Sequence, residues 1–321
     1  MNVQNMLIKP VISHLKPYLR WVVLGGTLFF IAKTLKDHWQ DVAKIQLTSQ
    51  ALSVIGLAFV VTLIAHVWSG WVWHWILRLF GQPLSGFWST PVYLKTNVAK
   101  YLPGNVWHFV GRVSALRTVG SPTGVAVLSV IMEPLLMAVA AVVLAGAAGG
   151  RLIALSGYPV IRLAGLAIVL ISVHPRLFNP VLQTLGKAKV KAQRLDVTVD
   201  EMALLRTYPV RPLLGEIGFV FLRSLGFIAI VLAFQPLSFA DAQALLAAFS
   251  LAWLLGLIVP GAPGGIGVFE ATAISLLDTH FPVAVILSSV AIYRLISVLA
   301  EVSAAGVVWI MSPLKAFRKP K

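Results

Sequence analysis

The sequence predicts an all-α fold, a polytopic integral membrane helical bundle, and three observations carry that reading. Of 321 residues, 58% are hydrophobic and only 12% are charged, against about a quarter charged in soluble domains. Mean hydropathy is +0.87. Apolar runs of about 20 residues recur along the chain, each long enough to cross roughly 30 Å of hydrocarbon. The absence of Cys excludes disulfides, thiol catalysis and thiolate or iron–sulfur sites.

The elements follow in order. Trp21 to Ala32, with its flanks, comes after an N-terminus in which Lys9, Pro10 and Pro17 leave no compact signal-peptide core, so this segment is expected to be retained. Ala51 to Phe80 would measure about 45 Å as continuous helix and must tilt or protrude. Its Trp68, Trp71, Trp73 and Trp75 are expected to anchor it at a membrane interface. Pro122 to Ala148, Leu152 to Val173, Pro212 to Phe234, Ala242 to Val259 and Val283 to Met311 are the other clear elements. A short one after Pro263 brings the set to seven or eight. The polar stretch 174–211 is expected to be a cytoplasmic basic linker between a first membrane half, 1–173, and a second, 212–321. Within it, Val181 to Leu195 interleaves apolar residues with Lys187, Lys189, Lys191 and Arg194. That pattern suits a basic helix lying on the leaflet, or a solvated connector.

The formal charge of +15 is explained by its distribution. With a cytoplasmic N-terminus, the segments up to Arg20, Arg78 to Arg117, Arg176 to Arg211 and from Lys315 onward hold 19 Lys and Arg against Asp196, Asp200 and Glu201. The opposite side holds Lys33, Lys36, Lys44 and Arg151 against Asp37, Asp41, Asp241 and Asp278. This asymmetry is the positive-inside pattern and places both termini in the cytoplasm. It reads as topology and attraction to anionic lipid rather than to nucleic acid.

Two segments interrupt the apolar pattern, one in each half. The first contains Pro103, Gly104 and Trp107; the second contains Pro260, Gly261, Pro263, Gly264, Gly265 and Gly267. Proline removes an amide donor and glycine admits backbone shapes that other residues resist, so both are expected to be broken or re-entrant helices rather than simple turns. Unwound backbone at membrane depth needs protein or a water-filled cavity around it, and paired breaks mark transporter repeats. Nine or ten residues after each first proline comes a charge, Arg112 and Glu270, and a direct contact between them is expected. The glycine run lacks the Gly-Lys-Ser/Thr ending of a phosphate loop, which excludes an ATPase reading.

Inside or at the margins of the apolar elements lie Glu133, Glu216, Glu270, Glu301, Arg162, Arg223 and Arg294. A lone charge at the bilayer centre costs about 2.5–3.5 kcal/mol, so these are expected to face inward and find partners. Glu216 and Arg223, like Arg294 and Glu301, are seven apart, about 10 Å along a helix, so their partners are expected on other helices. Glu216 is expected at the interface. Glu133, followed by Pro134, is the first candidate for a functional acid. The set suits either a structural ion-pair network or a polar pathway for a headgroup, proton or ion. No His pair has metal-ligand spacing, so neither metal nor any other cofactor is expected.

The residues Lys100-Tyr101-Leu102-Pro103-Gly104-Asn105-Val106-Trp107 with Gly111-Arg112, and Pro260-Gly261-Ala262-Pro263-Gly264-Gly265-Ile266-Gly267-Val268-Phe269-Glu270, resemble the two hallmark segments of the lysylphosphatidylglycerol synthase transmembrane-region family. That family includes the flippase domain of bacterial multiple-peptide-resistance proteins. The resemblance implies a bacterial inner-membrane protein with re-entrant segments around a lipid-accessible cavity, and Arg112 and Glu270 match the charges closing the two motifs. No segment resembles the soluble aminoacyl transferase domain, so the resemblance does not extend to synthesis of the lysyl lipid. Relatives linked to hopanoids and polyprenyl-linked sugars leave the lipid open.

The function expected is therefore lipid translocation (a flippase, not an enzyme) through a polar cavity formed by Lys100, Tyr101, Pro103, Gly104, Trp107, Arg112, Glu133, Arg223, Pro260, Gly261, Gly264, Gly265, Gly267, Glu270, Arg294 and Glu301. The expected partners are membrane lipids with phosphate headgroups, attracted by half-helix N-termini and Arg112. Alternatives are an accessory subunit or membrane-embedded enzyme working with lipid-biosynthetic partners, and a structural membrane scaffold.

Overall fold

A computed structural model describes residues 33, 36, 40, 48–101, 106–149, 158–193, 204–259 and 265–311. Among these are ten α-helices and no strand: α1 (Ser49–Leu79), α2 (Gly86–Asn97), α3 (Trp107–Thr118), α4 (Thr123–Ala148), α5 (Pro159–Ser172), α6 (Pro175–Gln193), α7 (Val210–Leu232), α8 (Phe239–Ile258), α9 (Val268–Leu277) and α10 (Val283–Met311). A 3-10 turn, Val98–Tyr101, continues α2. The expected Trp21 to Ala32 element lies outside the described residues, as do Pro103, Gly104, Pro260, Gly261 and Gly264.

Local chemistry sets several boundaries. Thr48 accepts from the Ala51 amide to start α1, Ser85 accepts from the Trp88 amide to start α2, and Ser238 exchanges hydrogen bonds with Asp241 in a capping box that starts α8. Proline at the first position of α5 costs no hydrogen bond, because that amide has no helical partner.

Helices α1, α4, α7, α8 and α10 are long and apolar enough to cross a membrane. Leu57, Val60, Ile64 and Val67 on α1, and Leu295, Leu299, Val302 and Ile310 on α10, face outward from the bundle. Such stripes suit lipid and would be costly in water. The described part is thus a polytopic helical membrane bundle, as the sequence predicts.

The expected span Leu152 to Val173 differs in detail. Its described part, α5, is about 21 Å long at 1.5 Å per residue, buries none of its residues, and meets α6 at a 63° bend. Arg162 sits half-exposed on α5 rather than facing inward. Helix α6 starts at Pro175, ahead of the expected Val181, and buries Phe178, Leu182, Gly186 and Val190, spaced by four, while Arg176 and Lys187 stay exposed. The four-residue spacing makes one apolar face, which packs on α4, so this part of the expected linker belongs to the bundle.

The two membrane stretches interleave: α1 packs along α7 and against α10, and α4 packs on α8. Small residues allow the α1–α7 approach, since a Cβ on Gly215 would lie 2.6 Å from a Val72 methyl and one on Gly226 would lie 2.7 Å from the Thr62 hydroxyl. The tryptophans expected at an interface take part in this packing. Trp73 is fully buried, Trp68 donates to the Gly215 carbonyl at 2.8 Å, and Trp75 stands edge-on to Trp68. The rings of Trp68 and Trp75 serve helix contact because α7 brings a carbonyl and glycines opposite them, whereas Trp73 packs on Trp88 and Tyr93 of α2.

Gly215→Ala should lower the melting temperature in detergent by overpacking this contact, at a cost of about 1–3 kcal/mol. Gly56→Ala on the same helix pair, where an added Cβ meets nothing within 4 Å, should leave it unchanged or slightly raised.

Candidate functional site

Two hydrophobic clusters flank the centre of the bundle. One gathers α2, α3, α6, the end of α1 and the start of α4; the other gathers α7 to α10 with the far half of α4. Between them lies a cavity of about 320 Å³ whose lining includes Asn97, Lys100, Arg112, Glu133, Arg294 and Glu301.

Short elements bring the charged groups there. Helix α2 and its 3-10 extension supply Tyr93, Asn97 and Lys100, and α3 returns with Arg112. Arg112 is paired with Glu133 on α4 and donates to the Asn97 side-chain oxygen at 3.2 Å. Its guanidinium lies 4.0 Å from the centre of the Tyr93 ring, while the Tyr93 hydroxyl donates to the other Glu133 oxygen at 2.6 Å and so accepts from Ser69 at 2.8 Å. The Arg112 side chain is only 2% exposed. A desolvated cation on an aromatic face gains about 2 kcal/mol, so this cluster holds its geometry.

A second cluster joins α9 to α10. Glu270 accepts from the Gly267 amide at 2.6 Å and from Arg294 Nε at 2.5 Å, and Arg294 Nη2 donates to the Gly265 carbonyl at 2.9 Å. The carboxylate thereby satisfies an orphan amide at the start of α9. Gly265 and Gly267 have φ of +72° and +87°, a region that favours glycine. Close approach adds to the requirement, since a Cβ on Gly265 would lie 3.1 Å from the Gly256 Cα of α8.

The third cluster centres on Glu301, which is paired with Lys100. Arg223 donates to His66 Nε2 at 2.9 Å and to the Ser297 hydroxyl at 3.0 Å, and stacks near Trp253 and Tyr293 at 5.2 and 5.1 Å. A guanidinium can only donate, so His66 Nε2 accepts and its proton sits on Nδ1.

The expected Arg112–Glu270 contact is replaced by two separate pairs, Arg112 with Glu133 and Glu270 with Arg294. Lys100, Arg112, Glu133, Gly265, Arg294 and Glu301 line the cavity, with Glu270 and Gly267 directly behind Arg294. Arg223 is buried in the wall; Tyr101 and Trp107 are exposed. Glu216, near the start of α7, is 0% exposed. His66, Tyr93 and Asn97 belong to the site without having been singled out, because their polarity acquires meaning only from what α3, α4 and α7 place opposite them. Compared with known proteins, the sequence matches no family model and no curated protein.

Breaking a buried ion pair by removing one partner costs about 3–5 kcal/mol. Arg112→Met and Glu133→Gln should each destabilise the protein on that scale, and the double variant should recover part of the loss. A thermal double-mutant cycle should give strong coupling for this pair and almost none between Arg112 and Glu270.

Proposed function

We propose that the chain is a lipid translocase that admits a phosphate-bearing headgroup into the central cavity while the acyl chains stay in the bilayer. The observation that carries this reading is the unequal accessibility of the cavity cations. The side chains of Lys100 and Arg294 are 19% and 24% exposed, whereas Arg112 is sealed by its partners. Lys100 and Arg294 can therefore exchange Glu301 and Glu270 for a phosphate oxygen, a trade between charge-assisted hydrogen bonds of similar strength. The remaining wall is amphipathic in the right sense, with Phe109, Met137, Phe219 and Leu257 beside the charges.

The resemblance of the two break segments to the lysylphosphatidylglycerol synthase transmembrane-region family supports the same reading. A phospholipid or polyprenyl-linked lipid fits the chemistry. The distribution of Lys and Arg further supports an orientation with both termini cytoplasmic, and the resemblance a bacterial inner-membrane location.

Purified protein in liposomes should accelerate the transbilayer movement of fluorescent phospholipids, read by chemical quenching of the outer leaflet. Lys100→Gln and Arg294→Gln should each slow it about ten- to a hundredfold, matching roughly 1.5–3 kcal/mol for a hydrogen bond to a charged group. Arg162→Gln, half-exposed on α5 and outside the cavity lining, should leave it unchanged. Failure to move any lipid, with no lipid retained by the purified protein in native mass spectrometry, would overturn the proposal. Unimpaired transport in both cavity variants would instead favour a structural ion-pair scaffold.

A further inference from the structure

Where α1 ends and α7 begins, a second cavity opens at the side of the bundle. Its volume is about 360 Å³, and its lining includes Trp75, Arg78, Tyr208, Val210 and Arg211. None of these lines the central cavity. Trp75 and Arg78 stand three residues apart on one face of α1. Trp75 is held there by α7, since a Cβ on Gly215 would lie 3.0 Å from its ring. Arg211 belongs to the first turn of α7. Tyr208, just ahead of that turn, is fixed by donating to the Leu170 carbonyl of α5 at 2.8 Å.

The charge here is unlike that of the central cavity, where Lys100, Arg112 and Arg294 each have a carboxylate. No carboxylate lines this second cavity. Arg78 and Arg211 are exposed, and the ion pairs among the described residues leave both out. The start of α7 adds a donor. It has no side-chain cap. The Val210 amide bonds the Tyr208 carbonyl, the Leu213 amide bonds the Pro209 carbonyl, and Pro212 has no amide proton. The Arg211 amide is the one left over in this turn.

An apolar track leads away from these donors. Val210, Leu214, Phe221, Leu225 and Leu232 are exposed on α7, and steps of four and seven residues keep them within about 60° of one another around the helix. Val210 belongs to both the cavity and the track.

We propose that this cavity binds the phosphate of an anionic phospholipid whose acyl chains lie along the exposed track of α7. Two guanidiniums offer charge-assisted hydrogen bonds to the phosphate oxygens, and Trp75 and Tyr208 suit the depth at which headgroup meets hydrocarbon. A headgroup with its own ammonium would bring a further cation to two arginines and no carboxylate. A glycerol headgroup therefore fits and a choline headgroup does not. The lipid bridges α1 and α7 from outside, at a site separate from the central cavity and independent of transport.

The test is photocrosslinking in mild detergent with phosphatidylglycerol or phosphatidylcholine carrying a diazirine in one acyl chain, with adducts on α7 counted by peptide mass spectrometry. Phosphatidylglycerol should label the stretch from Leu214 to Leu225 at about tenfold lower concentration than phosphatidylcholine, as expected for two basic residues beside an anionic headgroup. Arg78→Gln/Arg211→Gln should abolish that preference. Arg117→Gln/Arg176→Gln removes the same charge from exposed positions outside this cavity and should preserve it. Glycerol phosphate, the headgroup without tails, should not compete at equal concentration. Equal labelling by the two lipids, an undiminished preference without Arg78 and Arg211, the same loss in both double variants, or competition by glycerol phosphate would each overturn the proposal.

Discussion

Charge buried in an apolar bundle has to be neutralised, and this requirement organises the centre of the protein. The helices α2, α3 and α9, of 12, 12 and 10 residues, are too short to span a bilayer. Their positions are fixed by what their charged residues reach. Arg112 ties α3 to α4 and to the end of α2, Lys100 ties the 3-10 turn to α10 across 201 residues of sequence, and Glu270 ties α9 to α10. Each bond would be weak in water and is strong here because breaking it exposes an unpaired ion to a medium that cannot solvate it.

The same requirement separates structural from exchangeable charge. Arg112 has a carboxylate, an amide oxygen and two aromatic faces around it, and so little exposure that a ligand would have to dismantle the cluster to reach it. Lys100 and Arg294 also have a carboxylate and an aromatic ring each, and Arg294 holds the Gly265 carbonyl, but their side chains are 19% and 24% exposed and line the cavity. Under the proposed function, an anion arriving there would find a cation whose present partner it can replace in kind. Affinity at such a site is a difference between two similar interactions, which suits a substrate that must also leave.

Much of the fold is legible in the sequence, because apolar length and capping residues act locally. The long elements ending at Phe80, Ala148 and Met311 lie within a few residues of α1, α4 and α10, and Ser238 with Asp241 marks α8. Which residues form the site is partly legible too, since a charge in an apolar run is costly wherever it lies. Its partner is not. Periodicity gives the face of a helix but not the neighbour on that face, so Arg112 and Glu270 look like a pair in sequence yet are satisfied by Glu133 and Arg294. The same limit hid the burial of Glu216, which sits near the start of α7 and is 0% exposed. It also hid the tryptophans of α1, whose aromatic belt character is indistinguishable in sequence from a packing role against glycines.

The charge that follows the second helix break belongs to the break itself. An interrupted helix in a low-dielectric medium strands amides and carbonyls. Glu270 takes the Gly267 amide, and Arg294, held by Glu270, takes the Gly265 carbonyl. The left-handed glycines beside α8 allow the chain to turn this tightly, and the ion pair supplies the hydrogen bonds the turn lacks. The consequence is mechanical. Under the proposed function, an anion that drew Arg294 into the cavity would remove a donor from Gly265 and loosen Glu270, tying occupancy of the cavity to the shape of the turn.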